Sequence, residues 1–196
     1  IAAHLRRTMP FQSRVGLSFE SGLDYIVALV GCFYAGVVAV PIYPPDPLRW
    51  TRTVSRMQAI LDDAQTNVVL TTGDQAARVE AIRPGTTVIA TDRMVDQELV
   101  NVERNDDLDR PAFSGIHRDT LALLQSTSGS TGTPTGVMLT HEHLMFNLAH
   151  VRKFDEPDAV AVSWLPMYHD MGLIGFHITP MLRGVSQINM RAETFS

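Results

Sequence analysis

An α/β fold of mostly parallel sheets flanked by helices is what this sequence predicts, on three grounds. Strand-like and helix-like signals alternate along the chain. The strand-like runs are short, apolar and buried in character, and Gly, Pro and polar turns punctuate them. Val15 to Phe19 reads as the first strand, and the apolar run from about Leu23 to Ala35 as a helix. Ser21 with Asp24 resembles a capping box at the start of that helix, and Gly36 suits its C-terminal end. Val37 to Pro41 follows as a buried strand closed by proline. After the turn Pro44-Pro45-Asp46-Pro47, the residues Val54, Met57, Ile60 and Leu61 recur at helical spacing, predicting a helix over Thr51 to Ala64. Asn67 to Thr71 is a strand, Gln75 to Ile82 a shorter helix and Thr87 to Ala90 a further strand. The charged run Glu103 to Pro111 reads as a surface loop closing this first part at about residue 110; a second part begins at about residue 118.

Composition excludes several classes of function. The 196 residues are 45% hydrophobic and 19% charged, enough for a sizeable core and unlike a disordered chain. A net charge of -5 and the absence of a basic run or aromatic platform argue against nucleic-acid binding. Tyr25 to Pro45 is uncharged over 21 residues, the length of a membrane span. Gly31, Gly36, Pro41, Pro44 and Pro45 break it, so helix, turn and strand fit better and the chain is not read as transmembrane. The lone Cys32 permits no internal disulfide and lies in an apolar helical stretch, which suits a core thiol in a reducing compartment. No secretory signal is visible at the start. The expected location is the cytoplasm.

Chemistry concentrates in two segments. Leu123-Leu124-Gln125-Ser126-Thr127-Ser128-Gly129-Ser130-Thr131-Gly132-Thr133-Pro134-Thr135-Gly136-Val137 is a loop rich in hydroxyls and glycine between strand-like runs at Leu121 to Leu124 and Val137 to Leu139. Glycines 129, 132 and 136 permit positive φ and close backbone approach, and the hydroxyls are neutral donors for phosphoryl oxygens. The loop is not a Walker A motif, since it has no lysine, and does not match G-x-G-x-x-G. Its strand-like flanks argue against a flexible linker. The second segment, Val162-Ser163-Trp164-Leu165-Pro166-Met167-Tyr168-His169-Asp170-Met171-Gly172-Leu173-Ile174-Gly175, reads as a strand ending at Pro166 and a helix starting near Asp170. Strand ends that feed helix starts are where α/β proteins bind ligands. His169 there could donate to a carboxylate or phosphate oxygen, and the amides of 170–172 could support an anion.

Other constellations read as scaffold. His141-Glu142-His143-Leu144-Met145 fails the H-E-x-x-H pattern at Met145, so no zinc site is assigned. Thr140 is the expected N-cap of a helix from about His141 to Lys153, with Glu142 in its positive first turn. His150 and His177 are isolated and read as structural. Phe176, Ile178 and Met181 fit a core better than a tunnel lining. Ser186 to Met190 is strand-like.

The hydroxyl loop and the W-L-P-M-Y-H-D-M-G-L segment together resemble the adenylate-forming ligase superfamily, and the second segment is similar to the form found in fatty acyl-AMP ligases. Val40-Pro41-Ile42-Tyr43-Pro44-Pro45 also resembles a segment of those ligases. The resemblance runs from Val15 to about Met190. It implies part of the large N-terminal domain of that fold and activation of a fatty acid by ATP to acyl-adenylate and pyrophosphate. The acyl group would pass to an acyl carrier protein, a polyketide synthase or coenzyme A. It further implies that Thr127, Ser128, Gly129, Ser130, Thr131, Gly132 and Thr133 contact the phosphates, with Ser130 and Thr131 the principal side-chain donors and Thr131 catalytic. His169 would orient the carboxylate or acyl-adenylate, and Met171 and Gly172 would line the pocket beside it. Mg²⁺ is implied with its protein ligand outside this chain. So are an adenine-contacting motif, a ribose-binding aspartate and a mobile C-terminal domain with a catalytic lysine. Both ends of the chain thus read as cut. One departure is Thr135, where the family's loop carries lysine. A non-catalytic nucleotide- or acyl-adenylate-binding module, or an inactive truncation, are the alternatives that this departure and the short length leave open.

Overall fold

A computed structural model describes residues 1–94, 115–128, 134–151 and 158–190. Six strands form one sheet in the order β4-β3-β1-β2-β5-β6, with β1 Arg14–Ser18, β2 Val38–Ile42, β3 Val68–Thr71, β4 Thr87–Ala90, β5 Leu121–Ser128 and β6 Pro134–Thr140. All neighbours are parallel except β5 and β6, which form an antiparallel hairpin. The helices are α1 Ala2–Thr8, α2 Leu23–Ala35, α3 Trp50–Asp63, α4 Gly73–Ile82 and α5 His141–His150. A second, two-stranded parallel sheet pairs β7 Val160–Ser163 with β8 Ser186–Asn189. The expected parallel α/β architecture is the one observed.

Why the strands read as unbroken apolar runs is visible in β2. Val38, Val40 and Ile42 pack with Met57, Ile60 and Leu61 of α3, while Ala39 joins the cluster of Leu29 and Cys32 of α2. Side chains alternate between two covered faces, so neither face needs polar residues. Pro41 sits inside this central strand without disrupting the ladder. Val38 donates to Ser13 O on the β1 side, so the amide position of residue 41 faces β5, and there the pairing is confined to Ala39 opposite Leu123.

Threonines tie the strands together as well. Thr66 Oγ1 donates to Arg14 O at 2.6 Å, Thr71 Oγ1 to Ser18 O at 2.6 Å and Thr91 Oγ1 to Thr71 O at 3.3 Å. Gly36 ends α2 in the left-handed conformation at φ 69°, as expected for a helix C-terminus.

Several local expectations need correction. Ser21 does not cap α2: Gly22 stands at the N-cap with no side-chain bond, and Ser21 Oγ instead accepts from Met167 N at 3.1 Å. The hairpin strands run further than the apolar residues, since cross-strand pairing continues from Gln125 opposite Val137 to Ser128 opposite Pro134. Thr127 and Ser128 are therefore strand residues. Gly136 also lies in β6 and is not among the glycines with positive φ. The helix capped by Thr140 ends at His150, with Val151 extended at φ -84° and ψ 98°; Lys153 and the charged run Glu103 to Pro111 lie outside the described residues. The segment after Asp170 is a π-helix, Met171–Ile178, followed by the short α6, Thr179–Leu182.

Candidate nucleotide and acyl site

The turn between Ser163 and Gly172 is pinned from three directions. Ser21, just past the C-terminal end of β1, holds Met167 N. Tyr43, just past the end of β2, packs its ring on Tyr168 with centroids 4.4 Å apart. Gln125 of β5 donates through Nε2 to Tyr168 O at 3.2 Å. Because β1, β2 and β5 run parallel, all three supports lie towards one edge of the sheet, the edge at which β5 ends with Ser128. The carboxyl edge of parallel strands is where open α/β sheets bind ligands.

Of the residues assigned to the phosphate loop, Thr127 and Ser128 end β5, and Gly129, Ser130, Thr131, Gly132 and Thr133 lie outside the described residues. Thr127 is exposed and its Oγ1 donates to Thr135 O at 3.4 Å across the hairpin. Gly136 N donates to Asp63 Oδ2 at 2.8 Å, so α3 braces the hairpin from below.

His169 is exposed at the head of the π-helix. Its N–H donates to Pro166 O at 3.2 Å and its carbonyl accepts from Leu173 N at 2.7 Å. Its Nδ1 lies 2.7 Å from Asp170 Oδ1, which also accepts from Met171 N at 2.7 Å. With Nδ1 engaged by Asp170, Nε2 is the ring atom that could meet a ligand, accepting in the neutral ring and donating in the imidazolium. Met171 is exposed beside it. Gly172 is buried, and a Cβ there would lie 2.2 Å from Pro166 O, so glycine lets the helix start fold back onto the turn that precedes it.

Tyr168 is held well above the ordinary tyrosine pKa, first by burial, then by its hydrogen bond to Tyr43 and by the nearby Glu20 carboxylate, against which Arg56 acts. It stays a neutral phenol at physiological pH. Sequence reasoning missed Asp63, Ser21 and Gln125. Gln125 stood inside the loop segment without an assigned role, and nothing local marks Asp63 as a partner of Gly136.

The family model for AMP-binding enzymes matches residues 1–195. This chain belongs to the AMP-binding enzyme family. Among relatives, it is 37% identical over 191 residues to the medium-chain-fatty-acid–[acyl-carrier-protein] ligase JamA of Moorena producens, covering 94% of this chain and 31% of JamA. It is 36% identical over 206 residues to the long-chain-fatty-acid–AMP ligase FadD23 of Mycobacterium tuberculosis, covering 96% of this chain and 32% of that protein. The crystal structure of a fatty acid AMP ligase from Legionella pneumophila superposes with a TM-score of 0.78 at 33% identity, over 99% of this chain and 33% of that one. A fatty acyl-adenylate ligase from L. pneumophila in complex with acyl adenylate and pyrophosphate gives 0.76 at 34% identity, over 99% of this chain and 33% of the other. The AMP-binding chain thus spans about a third of the length of the relatives it matches, and the sequence resemblance to fatty acyl-AMP ligases is borne out.

Proposed function

We propose that the natural protein carrying this chain activates a fatty acid with ATP, forming acyl-adenylate and pyrophosphate. The observation that carries this reading is the hydrogen bond from Gln125, on the strand that leads into the hydroxyl-rich segment, to Tyr168 O in the turn that bears His169. Attack of a carboxylate on the α-phosphate brings two anions together, and donors aimed at the developing charge together with fixed orientation lower that barrier. Thr127 through Thr133 would hold the β- and γ-phosphates and the departing pyrophosphate, with Ser130 and Thr131 as the main hydroxyl donors. His169 Nε2 would orient the carboxylate. Met171 would face the acyl-adenylate, and Gly172 would let that wall close on Pro166. Magnesium bound with ATP would neutralise phosphate charge. Its protein ligand would lie outside this chain.

The acyl group would pass to an acyl carrier protein or polyketide synthase, as the name of JamA suggests for the first, or to coenzyme A. We assign the reaction to the cytoplasm, where ATP and carrier thiols are available; among the described residues no helix is long and apolar enough to cross a membrane.

Pyrophosphate exchange into ATP by the purified natural protein tests the proposal. Exchange that depends on added fatty acid is expected, and it should drop in folded Thr131→Ala and His169→Ala variants. Nucleotide binding without exchange would instead favour a binding module, the reading that Thr135 at the lysine position supports. Product analysis with carrier protein and coenzyme A both present decides the acceptor.

A further inference from the structure

Gln125 is only 4% exposed, in a strand whose preceding residues Ala122, Leu123 and Leu124 are apolar and buried. Its Nε2 spends its hydrogen bond on one acceptor, Tyr168 O, at 3.2 Å. Its Oε1 is buried with no partner among the described residues. The gain from one neutral hydrogen bond is no larger than the cost of a buried acceptor left unpaired. Methionine or leucine would fill the same space and spare the Oε1 cost while taking the donor from Tyr168 O, so the two changes offset and stability gives little net reason for an amide here.

The acceptor is informative. Tyr168 O belongs to the peptide that joins Tyr168 to His169, and the orientation of that peptide sets where the His169 side chain leaves the backbone. The remaining ties on this turn come from its own neighbourhood, through Pro166 O and Leu173 N, or from Tyr43 and Ser21. Gln125 alone among these residues stands on β5, two positions before Thr127, on the strand that leads into the hydroxyl loop.

We infer that Gln125 is a positioning residue: it holds the Tyr168–His169 peptide, and with it His169, in register with β5, the strand that leads to Thr127, so that a carboxylate on His169 is presented at a set position relative to that strand. This rests on the proposed adenylation activity. A misplacement on the order of 1 Å can cost about a hundredfold in rate, so release of this tie should reach the chemistry although Gln125 touches no substrate.

A double-mutant cycle in the natural protein tests the inference, using Gln125→Met and His169→Ala with fatty-acid-dependent pyrophosphate exchange as the readout. Gln125→Met keeps the volume, and with relief of the unpaired Oε1 set against loss of the bond to Tyr168 O it should leave the thermal midpoint little changed. It should lower kcat by roughly tenfold or more and leave KM for ATP within about twofold. In the His169→Ala background the same substitution should cost less than about twofold. Multiplicative losses would show that Gln125 acts independently of His169 and overturn the inference while the adenylation reading stands. So would wild-type kcat in Gln125→Met. Gln125→Leu serves the same cycle should the methionine variant fold poorly. A wild-type protein without exchange overturns the adenylation reading and this inference together.

Discussion

The carboxylate of Asp63, the last residue of α3, accepts a 2.8 Å hydrogen bond from the main-chain N–H of Gly136 on β6. A Cβ at position 136 would lie 3.0 Å from Asp63 Oδ2, so glycine permits this approach. β6 is the edge of the sheet, and an edge strand has amides with no neighbouring strand to accept them. Asp63 takes one, and through it α3 steadies β6.

Asp63→Ala should therefore destabilise the protein by about 1 to 2 kcal/mol, the range for a hydrogen bond to a charged acceptor at a partly exposed site. Asp63→Asn keeps an acceptor and should lose less. Denaturant unfolding measures the first effect, and amide exchange should report lost protection at Gly136. Unaltered exchange there in Asp63→Ala would remove the bracing role.

Thr135 is exposed on β6 directly opposite Thr127, on the strand that leaves the loop. A lysine at 135 would add a charge-assisted contact to the phosphates of the proposed nucleotide where this chain has only a neutral hydroxyl. Thr135→Lys should lower KM for ATP or speed pyrophosphate release in the natural protein. Steady-state and burst kinetics would show either change, and equality with wild type in both would sink the idea.

Gly172→Ala meets Pro166 O at 2.2 Å, a backbone atom that cannot swing aside as a side chain would. The expected cost is about 3 kcal/mol, at the upper end for overpacking, with the start of the π-helix displaced and adenylation lost alongside. A thermal midpoint equal to wild type would mean that the turn at Pro166 relaxes freely.

Stability should fall in mild acid. Burial lowers the pKa of His177, partly offset by its hydrogen bond to Gln187, and burial also lowers that of His141. An imidazole in the unfolded chain ionises at the ordinary 6.5. Above that value both states are neutral and this contribution is flat. Below it the unfolded chain binds protons that the folded chain refuses, so stability is lost as pH falls from there towards the depressed folded values. Unfolding midpoints across that range should slope downward towards acid, and His177→Gln should make the slope shallower. An identical slope in that variant would reassign the effect to other groups.

Cys32 is fully buried, and burial pushes its thiol up to about 12. A thiol so protonated and enclosed is a poor nucleophile. Native protein should resist a small alkylating reagent that labels the same residue promptly in denaturant; fast native labelling would mean that α2 opens locally.

The sequence alone determined the alternation of strand and helix, because covered strands must be apolar on both faces and helices on one, and that shows in residues such as Val38, Ala39 and Val40. It also determined the Thr140 cap and the left-handed Gly36, whose chemistry is local: Thr140 Oγ1 accepts from His143 N, and Gly36 closes its own helix. The two segments proposed to bear the chemistry were legible for the same reason, since each is a short run of residue types suited to anions.

What only the tertiary structure decided is how these pieces meet. Ser21 had a plausible local partner in Asp24, yet its hydroxyl goes to Met167, 146 residues away. Gln125 reads as one polar residue in a strand until its amide is found on Tyr168 O, and Asp63 as an ordinary helix-end carboxylate until Gly136 is found beside it. Side-chain partners distant in sequence leave no periodicity and no spacing. The register of parallel strands brings the ends of β1, β2 and β5 to one edge and so puts Ser21 and Gln125 within reach of the turn, and the packing of α3 against β6 does the same for Asp63 and Gly136.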